Sequence, residues 1–134
     1  MKTKKAVTTN KPKAEKRKVP LIAICDDHIQ TAISISQILE HEGYKTMQTY
    51  SAVDAIALCE REKPDFLILD IRLDGFSGYD VAGKLPEQKL VFITGFDINE
   101  TRVKEFKNAV GVLQKPLDME KLINIVKKAV GPAH

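Results

Sequence analysis

Three aspartates, a threonine and a lysine stand at the ends of apolar runs in this 134-residue chain. LIAIC (21–25) is followed by Asp26 and Asp27, and FLILD (66–70) ends in Asp70. KLVFIT (89–94) ends in Thr94, and AVGVL (109–113) leads to Lys115 and Pro116. Three carboxylates brought to one place would repel, and at least one would be pushed toward protonation. A divalent cation removes that conflict, and hard carboxylate oxygens with room for water suit Mg2+. The same set fits phosphoryl transfer, which asks a protein mainly for positioning and charge neutralisation. An aspartate can be the nucleophile, Mg2+ and an ammonium can neutralise phosphoryl oxygens, and a hydroxyl can hold another. Asp70, between the acid pair and the lysine in sequence, is the expected nucleophile. On this reading Asp26 and Asp27 need no buried partner, because they lie at the wet end of a sheet.

Taken singly, each residue has an ordinary reading. Adjacent acids after a strand often only start a helix, a lone aspartate caps a turn, and most lysines are solvated. Their joint occurrence at four strand ends favours a site, so the elements that must position them decide the matter.

From Pro20 onward strand and helix patterns alternate. The runs 21–25, 45–50 (KTMQTY), 66–70, 89–94 and 109–113 read as five strands, several apolar throughout and thus buried on both faces. Ile35, Ile38, Leu39 and Glu42 follow helical spacing, with Gly43 as a stop. Ser51 can cap a second helix, whose stripe is Ala52, Ala55, Ile56 and Cys59. A short third helix is expected from near Gly78 to before Pro86, and a more polar fourth over 97–108. Asp118 should cap the last helix, with Met119, Leu122, Ile123, Val126 and Val130 on its buried face. This alternation predicts an α/β fold: a doubly wound five-stranded parallel sheet of order 2-1-3-4-5, flavodoxin-like. In such sheets the functional crevice lies beyond the carboxyl ends of the strands, where the acids, Thr94 and Lys115 fall.

Composition and charge bound the rest. With 43% apolar and 29% charged residues, the chain suits one globular domain with one core. No apolar run reaches the 18 or so residues of a membrane span, and the N-terminus lacks a secretory signal, so a cytoplasmic protein is expected. Cys25 and Cys59 sit within apolar patterns and read as small core residues. Residues 1–18 carry eight Lys or Arg against one Glu, net +7, whereas 19–134 carry thirteen against seventeen acids, net −4. We therefore expect a disordered basic tail over 1–18, a folded acidic domain over 19–131 and a C-terminal tail over 132–134. The tail would suit nucleic acid or another acidic partner, or serve as a solubilising leader; the body is not expected to bind nucleic acid.

The ordered set DD…D…T…KP, on this strand and helix pattern, strongly resembles the response regulator receiver domain of two-component signalling, over about Val19 to Gly131. The resemblance implies that Asp70 accepts a phosphoryl group from a histidine kinase or phosphotransfer protein. It also implies that Asp27, Asp70 and the backbone carbonyl of Arg72 ligate Mg2+, with Asp26 acting largely through water. Thr94 and Lys115 would contact the phosphoryl group, and the Lys115–Pro116 bond would be cis. By the same resemblance, Arg72 and Phe96 flank the phosphoryl group and would slow its hydrolysis. The domain would not be an enzyme acting on a separate substrate; it would catalyse its own phosphorylation and dephosphorylation. With no second domain expected after Gly131, it would stand alone and signal to a downstream protein by altered contacts.

The chain departs from the family pattern in two places. Asp74 stands where a proline is usual four residues after the acceptor, although Gly78 keeps the usual glycine. Val112 replaces the aromatic that normally precedes the lysine by three residues and reports phosphorylation. Three alternatives compete with this reading. A pseudo-receiver acting without phosphate has no physical reason to keep three mutually repelling acids. A haloacid-dehalogenase-like phosphatase normally wants an acid where Arg72 stands. A flavodoxin loop must cradle a phosphate, which Asp26 and Asp27 would repel.

Overall fold

The computed structural model describes residues 17–133. The principal strands are β1 (Leu21–Cys25), β2 (Lys45–Thr49), β3 (Phe66–Asp70), β4 (Leu90–Thr94) and β5 (Ala109–Gln114). The helices are α1 (Ile29–His41), α2 (Ala52–Glu62), α3 (Gly78–Lys84), α4 (Glu100–Val103) and α5 (Met119–Val130). The five strands form one parallel sheet in the order β2-β1-β3-β4-β5, as the strand and helix alternation predicts.

Every residue of β1, β3 and β4 is buried, because helices cover both faces of the sheet. Alternation along the strands divides these residues between two cores. Ala23, Cys25, Leu67, Leu69, Leu90 and Phe92 face α2 and α3, with Ala55, Cys59 and Val81 among their neighbours. Ile22, Ile24, Phe66, Ile68, Val91 and Ile93 face α1 and α5, where Ile35, Leu39, Leu122 and Val126 complete the layer. Truncating one fully buried residue here, such as Ile68→Ala, should cost about 2–5 kcal/mol through lost transfer energy and the cavity left behind. Cys25 and Cys59 are free and buried, and burial pushes both thiols up to about 12, as befits inert core residues.

The helix starts carry the expected polar caps. Ser51 Oγ accepts from the Asp54 amide at 3.1 Å, and Asp118 Oδ1 accepts from the amides of Glu120 and Lys121. At the end of α2, Lys63 adopts φ 46 and its amide closes on the Cys59 carbonyl.

Two expectations need correction. The fourth helix does not fill 97–108; it spans only Glu100–Val103, capped by Asn99, and 104–108 form turns. Val103 anchors it on the core, with Phe106 packed from the turn that follows, and too few apolar positions follow at helical spacing to repay a longer helix. At the other end, Arg17 is docked on the body. Its guanidinium donates to the carbonyls of Glu62 and Lys63, at the C-terminus of α2, and to Asp65 Oδ2 at 3.2 Å. The expected disorder of the basic tail otherwise concerns residues 1–16, which lie outside the described residues. The core also extends past Gly131, since Ala133 is buried and Tyr44 donates its hydroxyl to the Gly131 carbonyl at 2.6 Å.

Candidate functional site

A parallel sheet delivers all its carboxyl ends to one edge, and the register brings particular residues side by side. Cys25 pairs with Leu69, Asp70 with Ile93, and Thr94 with Gln114, so Asp26, Asp70, Thr94 and Lys115 follow one another across the sheet. The Lys115 amide donates to the Thr94 carbonyl at 2.7 Å, and Lys115–Pro116 is cis. The Lys115 side chain then reaches back over two strands. Its Nζ lies 2.8 Å from Asp26 Oδ2 and 3.0 Å from Asp70 Oδ2.

Asp26 does not sit at a wet end without a buried partner. It is fully buried, and its charge is compensated by Lys115; Asp27 alone of the pair reaches water, with a side chain 31% exposed. The two carboxylates differ because successive residues of an extended chain point to opposite sides. Asp26 Oδ1 accepts from the His28 amide at 2.8 Å. Its Oδ2 is paired with the Lys115 ammonium at 2.8 Å, so both oxygens of the buried carboxylate are engaged.

Burial pushes the Asp70 carboxyl up to about 6; the hydrogen bond from Lys115 opposes that shift, and the Asp26 charge adds to it. Burial pulls the Lys115 ammonium down, but its contacts with the two carboxylates outweigh this and hold it above the usual lysine range. Asp70 Oδ1 accepts from the Arg72 amide at 3.1 Å. Thr94 is buried, and its Oγ1 accepts from the Phe96 amide at 3.0 Å, which leaves the hydroxyl proton free to donate.

The loop after Asp70 makes a small hairpin, Arg72–Leu73 against Phe76–Ser77, turning at Asp74 and Gly75 with Gly75 at φ 77. It returns the chain so closely that Gly78 donates to the Ile71 carbonyl at 2.6 Å, and a Cβ at Gly78 would stand 2.3 Å from the Asp70 carbonyl oxygen. Glycine is therefore required there by close approach. The exposed Arg72 guanidinium stacks on Phe96, joining the loops after β3 and β4.

Val112 pairs with Phe92 in the neighbouring strand. Beside it, Tyr79, Phe92 and Phe106 form a ring cluster with centroids 5.2 to 5.6 Å apart, and Arg102 lies over Tyr79 and Phe106. Sequence reasoning did not single out Tyr79, Phe106 or Arg102, since spacing does not tell which rings from separate elements meet.

The sheet order, the flanking helices and the acids at the strand ends define a flavodoxin-like α/β protein with an acidic site at its carboxyl edge. The family model described as the response regulator receiver domain matches residues 22–127, and the chain belongs to that family. The sporulation initiation phosphotransferase F of Bacillus subtilis is 23% identical over 112 residues, covering 80% of this chain and 90% of the relative. The polar-differentiation response regulator DivK of Brucella ovis is 24% identical, covering 84% and 97%. By contrast, the chain spans 47% of the positive alginate biosynthesis regulatory protein of Pseudomonas aeruginosa, to which it is 31% identical. Among solved structures, the CheY-like receiver domain protein of Methanospirillum hungatei matches with a TM-score of 0.75 and 28% identity, over 82% of this chain and 92% of that one. No helix among the described residues is long and apolar enough to cross a membrane.

Proposed function

We propose that this protein is a receiver that takes a phosphoryl group onto Asp70 from a histidine kinase or phosphotransfer protein, in a Mg2+-dependent reaction, and signals in the cytoplasm by altered protein contacts. The observation that carries this reading is the position of Lys115, whose one ammonium is shared by the acids that follow the first strand and end the third. Membership of the receiver family supports it. So does the likeness to two relatives matched over 90% and 97% of their length, one of them named a phosphotransferase.

The donor set fits a hard divalent cation: Asp26 and Asp70 meet at one ammonium, and a carboxylate oxygen of Asp27 lies within 4.8 Å of one of Asp26. Asp27, Asp70 and the Arg72 carbonyl would hold Mg2+, with Asp26 acting through water. When bound, the ion offsets the charge that the acids and the phosphoryl oxygens would otherwise bring together. An Asp70 carboxylate oxygen attacks phosphorus; the new O–P bond replaces the P–N bond of the donor, and the electron pair leaves with the imidazole nitrogen. The Lys115 ammonium and the Thr94 hydroxyl proton are the groups within reach to hold phosphoryl oxygens.

Acetyl phosphate with Mg2+ tests the reading directly. The wild type should form a base-labile adduct that a chelator prevents and that Asp70→Asn does not form. Uptake by Asp70→Asn at the wild-type rate would remove the assignment, and no uptake by the wild type from any donor would favour constitutive, phosphate-free partner binding.

A further inference from the structure

We propose that the edge at which the sheet's strands begin, together with the segment that precedes Arg17, is a sequence-independent docking surface for the phosphate backbone of nucleic acid. The net negative charge of the body conceals a separation. Helices end and strands begin at this amino-terminal edge, in 17–20, 40–45, 60–65, 84–89, 104–108 and 127–133. These segments carry eleven Lys or Arg against seven acids, net +4. The remaining described residues, which include the carboxyl edge, carry four Lys or Arg against ten acids, net −6. Residues 1–16, with six lysines and one glutamate, add +5 and join the body at the basic edge.

Ion pairing within the edge leaves most of its cations open to a ligand. Arg17, Arg61 and Lys127 pair with Asp65, Glu62 and Glu42, and Glu105 pairs with Arg102. The other eight cations of the edge are exposed lysines with no ion pair among the described residues, against three such acids, Glu40, Glu60 and Glu87. Lys63 and Lys84 line one groove, while Lys89 and Lys107 stand just before the neighbouring strands β4 and β5. Arg17 donates to the Lys63 carbonyl at 3.1 Å, so the basic segment leaves the body beside these lysines. The helix C-termini bring partial negative charge to the same edge, about half a unit each, which the lysines of the edge and the segment together outweigh.

The acids at the far edge do not prevent this. A strand of five residues spans about 17 Å, roughly twice the Debye length of about 8 Å at physiological salt, so a polyanion at one edge is largely screened from the other. Lysine neutralises phosphate as a point charge without reading bases, which makes the binding indifferent to sequence. An anionic bilayer is the competing partner, but stable attachment to one takes an apolar or acyl anchor beside the basic patch. Of the large apolar side chains exposed among the described residues, Ile29, Tyr50, Val53, Phe76 and Phe96 stand at the carboxyl edge, and Val110 alone does not. Nucleic acid needs no such anchor, because release of counterions from neutralised phosphates supplies the binding.

The test is fluorescence anisotropy of a labelled, mixed-sequence DNA duplex with full-length protein, between about 50 and 200 mM NaCl. Wild type is compared with a body variant, Lys63→Gln with Lys84→Gln, Lys89→Gln and Lys107→Gln, and with a second variant in which the six lysines of 1–16 become Gln. Lys121→Gln, at the carboxyl edge, is the control. Wild type should bind with a Kd of about 10−4 to 10−6 M at physiological salt and weaken steeply as salt rises. The body variant should lose about tenfold or more in affinity at low salt, and its log–log salt slope should fall by about 2 to 4, near 0.9 for each phosphate contact removed. The variant of 1–16 should lose a comparable amount, and Lys121→Gln should stay within about twofold of wild type. Duplex-induced shifts of wild-type backbone amides in 84–89 and 104–108 provide a readout independent of any variant's folding. Wild-type affinity in the body variant, with binding lost in the variant of 1–16, overturns the surface and leaves the segment binding alone. Wild-type binding to phosphatidylserine vesicles but not to the duplex overturns it in favour of an anionic membrane.

Discussion

The Arg72 guanidinium lies 4.1 Å from the centre of the Phe96 ring. These residues stand two beyond Asp70 and two beyond Thr94, so the stack joins the loops that follow the central strands. Phe96 is 56% exposed, and such a pair is worth roughly 0.5–1 kcal/mol at an exposed site. The contact holds together the two residues that the resemblance sets beside the phosphoryl group.

We expect the stack to act as a cover beside Asp70 that slows loss of the phosphoryl group. Phe96→Ala and Arg72→Asn should each speed dephosphorylation in excess Mg2+ by about two- to fivefold, the rate equivalent of ~0.5–1 kcal/mol. The double variant should be little faster than either single one, because each removes the same contact. Loss rates equal to wild type in all three would show that the cover shields nothing.

Gly78→Ala should damage both stability and chemistry. The added methyl would meet the Asp70 carbonyl oxygen at 2.3 Å and the Ile71 Cα at 2.9 Å, and neither backbone atom can rotate away. Either the hairpin or the end of β3 must shift, at a cost on the order of 1–3 kcal/mol, as for other overpacked sites. Urea unfolding should report the loss, and acetyl phosphate uptake should fall with it. Wild-type values for both would mean that the loop relaxes freely.

Asp70→Asn should stabilise the metal-free protein at neutral pH. Asp70 is raised from 3.8 to about 6 by burial, so the native state holds its proton more tightly than the unfolded chain. Native protein therefore binds more protons between those values, and stability falls as pH rises through that window. The asparagine escapes this loss, which at pH 7 amounts to roughly 1–3 kcal/mol, trimmed because Lys115 loses one partner. Melting with a chelator present should find the variant more stable than wild type at pH 7 and near parity below pH 4. A difference independent of pH would place the effect in packing instead.

Much of this molecule was legible in the chain itself. Central parallel strands are buried on both faces, so LIAIC, FLILD and LVFIT had to be apolar without interruption, and each charge or hydroxyl that follows marks a strand end. Caps such as Ser51 and Asp118 are local, because a side chain within three residues of an amide needs no tertiary information. Tertiary structure decided what depends on elements distant in sequence. Whether Asp26 or Asp27 would be buried turned on strand direction at residue 26, and the Lys115 contact that neutralises Asp26 spans nearly the whole sheet. The short α4 was decided by how little of 97–108 the core had room to receive. Only packing brought Arg72 onto Phe96 and Arg102 onto Tyr79, since a ring and a guanidinium carry no spacing rule that pairs them across separate loops.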